Sequence, residues 1–193
     1  MSRVGLRPDG RADGRSSAAT ADPVDRTFGA EEIIVSKTDR KGVITYANDV
    51  FVRVSGYAEE ELVGRPHSLV RHPQMPRAVF RFMWSEIEAG REVFAYVVNL
   101  ARDGAPYWVF AHVTPTFDAA GGIVAYHSNR RSPARQAIER IRPVYAWLLE
   151  IEARCRAARE AADAGHAALQ EYLAQQGLTY SEFVWSMTTG RAG

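Results

Sequence analysis

Residues Asn48–Pro76 read NDVFVRVSGYAEEELVGRPHSLVRHPQMP, and the order of residue types in this stretch decides the fold. An apolar strand, Val43 to Ala47, leads into it. Asn48 or Asp49 then offers a side-chain oxygen to the free amides of a short helical turn. Gly56 closes that turn, and a second one over Glu59 to Leu62 stops at Gly64. The loop from Arg65 to Pro76 carries three prolines, two arginines and two histidines in 12 residues. It is too stiff for a linker and too charged for a core, which fits a pocket wall or lid.

Upstream, Ile33-Ile34-Val35 predicts a strand, Asp39 to Gly42 a turn, and Val43-Ile44-Thr45-Tyr46 the hairpin partner. Downstream, Val79, Phe80, Met83, Trp84 and Ile87 share one helical face between Pro76 and Ala89. Pro76 starts that helix and Gly90 ends it. Three strands follow, Glu92 to Arg102, Pro106 to Phe117 and Ile123 to Arg130, joined by turns at Asp103-Gly104 and Gly121-Gly122. The sum is an α+β fold: a five-stranded antiparallel sheet with short helices on one face, followed by a C-terminal helical extension.

In that extension Ile138, Ile141, Tyr145, Leu148, Cys155, Ala162, His166, Leu169 and Leu173 keep 3-4 spacing, with Glu152 and Arg159 interrupting the seam. Pro143 is expected to start or kink the helix rather than lie inside it. Gly177 suits a C-cap, and Tyr180 to Met187 a short last helix. The extension either folds back on its own sheet or forms a coiled-coil-type dimer arm. Three regions result. Residues 1–27 hold only Val4, Leu6 and Val24 as large aliphatics and are expected to be disordered. Residues 28–133 form the folded domain, and residues 134–193 the helical extension.

Composition narrows the function. Lys and Arg number 24 against 23 Asp and Glu, a formal charge of +1, so no broad nucleic-acid footprint is expected. Cys155 is the single cysteine, which excludes an internal disulfide and a cysteine-based zinc cage. No apolar run approaches the roughly 20 residues of a membrane helix, and the first residues lack the apolar centre of a signal peptide. A soluble, cytoplasmic protein without a membrane span is expected. Ser55, Ser68, Asp39 and the scattered histidines make no nucleophile-base grouping, and no metal-ligand cluster is readable. The expectation is therefore neither an enzyme nor a metal site.

The order strand-strand-helices-strand-strand-strand, with ITYANDVFVRVSGYAEEELVGRPH, resembles that of PAS domains. Its continuation, LVRHPQMPRAVFRFMWSEIEAG and then VVNLARDGAPYWV, resembles the FAD-binding PAS domain of bacterial aerotaxis receptors. The likeness runs from about Glu32 to Tyr145, and RHPxMPxxxFxxMW is its most specific part. It implies FAD held between helices and sheet, and a redox or oxygen signal passed on by protein–protein contact. A homodimer and a downstream chemotaxis or other signalling protein are the implied partners. The family commonly has an acidic residue where this chain has Gln74. Light-sensing LOV domains, related flavin modules, place their adduct-forming cysteine at the position of His67, and Cys155 in the distal helix cannot replace it.

Residue chemistry agrees with a flavin, whose ring needs apolar walls and a few polar donors at its edge. Phe80, Met83 and Trp84 supply walls. Asn99, between apolar neighbours in a strand, is either a strand-edge polar group or, as the resemblance implies, the partner of the ring edge. Asn48 is either an N-cap or a pocket residue. Arg71 and His72 either pair with phosphates of the dinucleotide tail or fix the loop. His67 is either a pocket residue or a solvated helix end. Along the strand after Gly104, Val109, Ala111 and Val113 suit a flat ring. Either Trp108, Phe110 and His112 take the other face, to be covered by the extension or a second subunit, or Trp108 is the core side and Val109 the surface. The alternatives to flavin are a haem gas sensor, with His72 or His67 as axial ligand, and a cofactor-free dimerisation module.

Overall fold

The structure, a computed structural model, describes residues 25–189. Strands β1 (Ile34–Asp39) and β2 (Ile44–Ala47) form a hairpin, and α1 (Asp49–Ser55), α2 (Glu59–Leu62) and a 3-10 turn (His67–Val70) follow. Helix α3 (Arg77–Glu88) precedes β3 (Val93–Leu100), β4 (Pro106–Phe117) and β5 (Ile123–Arg131). The sheet order is β2-β1-β5-β4-β3, with every neighbouring pair antiparallel. The five-stranded α+β architecture matches the expectation.

Local chemistry explains the short elements. Asn48 is the N-cap of α1: its Oδ1 accepts from the amides of Phe51 (3.0 Å) and Val35 (2.9 Å), and its Nδ2 donates to Ile33 O (2.8 Å). One amide side chain thus ties β1 to α1. Gly56, at φ 72°, ends α1 in the left-handed conformation that other residues rarely adopt.

The extension is two helices and a short third rather than one long helix. Helix α4 (Arg135–Glu152) and α5 (Ala158–Gln176) are separated by a bend at Ala153–Ala157, and α6 (Tyr180–Thr189) follows the left-handed Gly177. Pro143 lies inside α4, contrary to expectation. Pro143 and Glu139, whose carbonyl the missing amide leaves free, are both exposed, so water can satisfy that carbonyl. The opposite stripe, Ala137, Ile141, Tyr145 and Leu148, is buried.

Helices α4 and α6 cover the β3–β4 part of the outer sheet face of this same chain. Tyr145 stacks on Trp108 and donates from its hydroxyl to Tyr96 O, while Trp185 of α6 packs edge-on to Phe110 (5.4 Å). His112 lies flat on Phe94 (4.2 Å, 4°). Helix α5 then packs on α3, so the extension reaches both the outer sheet face and the helical layer. At the α4–α5 bend, Glu152 is buried, and its carboxylate accepts from the free amides of Arg77 (3.0 Å) and Ala78 (2.8 Å) at the start of α3. Of the expected tail, residues 1–24 lie outside the described residues. Arg26 donates to Pro106 O and Val54 O, and Asp25 pairs with Arg142.

Gly165 of α5 faces this junction. A Cβ there would lie 2.9 Å from Glu152 Oε1 and 3.0 Å from Ala78 Cβ. Gly165→Ala should therefore destabilise by ~1–2 kcal/mol, the overpacking cost exceeding the ~1 kcal/mol gain in helix propensity. Glu152→Ala should cost ~1–3 kcal/mol by leaving two amides unsatisfied. Urea unfolding of both variants is the measurement, and a Gly165→Ala protein as stable as the parent would contradict the tight α3–α5 contact.

Candidate functional site

Between α3 and the sheet lies a cavity of about 310 Å³, within the range of small-ligand sites. Its floor is flat and aliphatic: Val97 of β3 and Ala111 and Val113 of β4, side chains small enough to leave the space open. Its roof comes from α3, where Phe80, Met83, Trp84 and Ile87 recur at helical spacing. Trp84 meets Tyr126 edge-on (5.5 Å) and lies over Gly42. At φ 78°, with the indole 3.2 Å from where a Cβ would stand, position 42 needs glycine twice over.

Asn99 is 3 % exposed, and its Nδ2 has no hydrogen-bond partner although it lines the cavity. Across a backbone bridge from it stands Arg71, whose guanidinium lies over the Phe80 ring (4.3 Å) and donates to Met75 O. Burial pulls the Arg71 guanidinium below its ordinary range, with Arg77 adding to the effect.

The other end of the cavity is polar. Arg130, 2 % exposed, donates from Nη1 to His67 Nε2 (3.2 Å) and from Nη2 to Ser36 Oγ, and its plane lies over the Phe51 ring (4.5 Å). Its Nε has no partner. Burial lowers its pKa to about 10, so it stays charged at neutral pH. His67 stacks on Phe51, with Ser36 Oγ 3.3 Å from the same Nε2. Because Arg130 donates to Nε2, the network assigns the ring proton to Nδ1. Desolvation, and then the charge of Arg130, lowers the His67 pKa to about 3, so this histidine is neutral.

Of the ten residues singled out from sequence, His67, Arg71, Phe80, Met83, Trp84, Asn99 and Ala111 line this one cavity. Three do not. Asn48 is spent on the α1 cap. His72 turns into its own loop, where Nδ1 accepts from the Gln74 amide (3.1 Å). Val109 shares the face of Ala111 but is fully buried in the core beside the cavity. Ser36, Thr38, Tyr126, Ser128 and Arg130 also line the cavity, and motif reading does not reach them. Period-two alternation along β5, which puts Tyr126, Ser128 and Arg130 on one face, is the signal that finds them.

A second, more open groove of about 610 Å³ shares Ser68 and Arg71 with the cavity and adds His72, Arg77 and Arg156. Cys155 lines this groove and not the cavity. No group of three His, Cys, Asp or Glu set to hold a metal occurs among the described residues.

Neutral His67 sets a pH dependence. As pH falls below 6.5 the unfolded chain takes up a proton that the folded chain refuses until about 3. Stability should therefore decline through that window by about 1.4 kcal/mol per pH unit from this group alone. His67→Asn should show a profile shallower by that slope in urea titrations at stepped pH. Equal slopes in the two proteins would refute the neutral, desolvated imidazole.

Comparison with known proteins agrees with this architecture. The aerotaxis receptor of Escherichia coli (strain K12) is 41% identical over 115 residues, 60% of this chain and 22% of that protein. The nitrogen fixation regulatory protein of Klebsiella pneumoniae is 31% identical over 99 residues, 51% of this chain and 20% of that protein. The chain thus spans about a fifth of the length of these curated relatives. A solved light-oxygen-voltage domain, studied with a flavin analogue, superposes with a TM-score of 0.51 at 21% identity, over 64% of this chain and 90% of that one. The light-state Aureochrome1 LOV domain gives 0.50 at 23%, over 61% and 91%. At these identities the two structures speak for the fold alone. No helix among the described residues is long and apolar enough to cross a membrane. With the sheet order, the cavity beneath α3 and a family-model match to the PAS fold over residues 33–129, the chain belongs to the PAS family.

Proposed function

We propose that this chain is a flavin-binding sensory protein that holds FAD in the cavity under α3 and reads redox state or oxygen. The observation that carries the proposal is the buried, unpartnered Nδ2 of Asn99, a residue that lines a flat apolar space. A buried donor without a partner costs ~1–3 kcal/mol, and a ring with carbonyls and nitrogens along one edge removes that cost. A flavin, when bound, supplies electron storage. This chain's residues would bind and orient it: Val97, Ala111 and Val113 would form one wall, Phe80, Met83 and Trp84 would exclude water from the opposite side, and Asn99 would offer a donor to the edge.

FAD rather than a smaller flavin is favoured by the neighbouring groove. The cavity takes a ring system but not a dinucleotide, and the groove that shares Arg71 with it carries His72, Arg77 and Arg156. Cations at that position suit a pyrophosphate. The resemblance of RHPxMP to the aerotaxis type, and the aerotaxis receptor among the relatives, support a redox or oxygen signal. A haem reading is less favoured, because His67, the histidine lining the cavity, has its Nε2 taken by Arg130 and Ser36. A cofactor-free module would leave the Asn99 donor stranded. The output is read as protein contact, by homodimerisation or a chemotaxis-type partner, in a cytoplasmic, non-enzymatic protein. Helices α4 and α6 already occupy the Trp108-Phe110 face, so a partner engages the extension rather than bare sheet.

Protein from a flavin-replete host should be yellow, and acid should release FAD. Haem or FMN in its place would overturn the cofactor reading. Trp84→Ala should lower flavin occupancy sharply by removing a partly buried indole from the roof, a truncation worth about 2–3 kcal/mol, below the cost at a fully buried site. Asn99→Ala should keep the fold and shift the flavin spectrum or potential; no shift would mean that Asn99 does not touch the ring. Arg156→Ala should weaken FAD binding several-fold while leaving riboflavin binding unchanged, and equal losses would place the tail elsewhere.

A further inference from the structure

We infer that Arg130 is the charge-selecting residue of the cavity: its guanidinium makes the pocket hold the flavin ring more tightly once that ring carries a negative charge. The inference rests on the flavin reading above. Its basis is an imbalance of charge. Arg130 is 2 % exposed, and no carboxylate pairs with it among the described residues. Its neighbours are the neutral ring of His67, the hydroxyl of Ser36, the face of Phe51 and the phenol of Tyr107, which burial keeps protonated. The cavity lining also includes Lys41 and Arg71 and contains neither Asp nor Glu.

A buried cation held by neutral groups is expensive, because dipoles recover only part of its lost hydration. Proteins usually remove this cost with a paired acid, and this cavity has none. Its Nε is moreover a free donor. An anion arriving in the same low-dielectric space completes the pair, and there the attraction is screened far less than in water. Ser36 and His67 fix the direction of the guanidinium, so Arg130 does not have to be ordered when the charge appears. His67, neutral and accepting, cannot itself add or remove charge in the neutral range.

The charge is introduced in the simplest way by one electron, passed from an electrode to the bound ring with no bond made or broken. Spectroelectrochemistry of the FAD-loaded chain should then show that Arg130→Gln lowers the first-electron potential by at least ~59 mV, a tenfold loss of preference for the charged ring. Arg130→Lys, which keeps the charge, should stay close to the parent. Melting of the flavin-free proteins gives a second reading. The Gln variant should melt higher than the parent, because an uncompensated buried cation has been removed. An unchanged potential in the Gln variant overturns the inference while the flavin reading stands. A flavin-free Gln variant that melts lower, or fails to fold, overturns it by making the guanidinium a structural clamp. A parent protein that takes up no flavin overturns the flavin reading itself, and the inference with it.

Discussion

The carboxylate of Glu152 holds the start of α3, and the dimensions of the cavity follow from where α3 stands. Four roof residues, Phe80, Met83, Trp84 and Ile87, ride on that helix. Its N-terminus has no side-chain cap of its own, since Pro76 occupies the N-cap position. The cap arrives instead from about 75 residues further along the chain, at the bend between α4 and α5. The close approach of Gly165 to Ala78 then seats α5 against the same turn. The helical extension is therefore not a passenger. It fixes one wall of the site, and any displacement of α5 changes that wall directly.

Strands β3 and β4 are consequently covered on both faces, with different side chains for each. Toward the cavity, β4 presents Val109, Ala111 and Val113, and toward α4 and α6 it presents Trp108, Phe110 and His112. Small residues leave an open space, whereas large ones fill the distance to a helix. The Tyr145 hydroxyl bonds to Tyr96 O, and Tyr96 in turn bonds to Thr188, so each outer helix has a polar anchor in β3. Strand β3 also carries Asn99 on its other face, so one strand faces both the cavity and the extension.

Much of this is legible in the chain. Period-two alternation and the turn glycines specify the five strands, and Pro76 with Gly90 brackets α3 closely. Roof residues follow from helical spacing, and Asn99 stands out as a lone amide in an apolar strand. What was not legible depends on distant contacts. Nothing near Glu152 in sequence indicates that it caps another helix; it reads as a flaw in an apolar seam. Arg130 sits at the end of a strand beside Arg131, and only the fold decides that one is buried and the other exposed. Pro143 is tolerated inside α4 because its side of the helix faces water, a fact of packing. Asn48 offered two roles at once, and the register of β1 against α1 settles it as a cap.

The four tryptophans of the chain fall into four different environments. Trp84 forms the cavity roof against Tyr126, and Trp108 lies beneath α4 between Tyr145 and the Arg142 guanidinium. Trp147 of α4 meets Tyr172 of α5, and Trp185 of α6 lies half-exposed against Phe94 and Phe110. Indole emission depends on local polarity and on nearby quenchers. The molecule thus carries a built-in optical reporter in each of its layers, one for the ligand space, one for the sheet–helix seam and two for the packing of the extension.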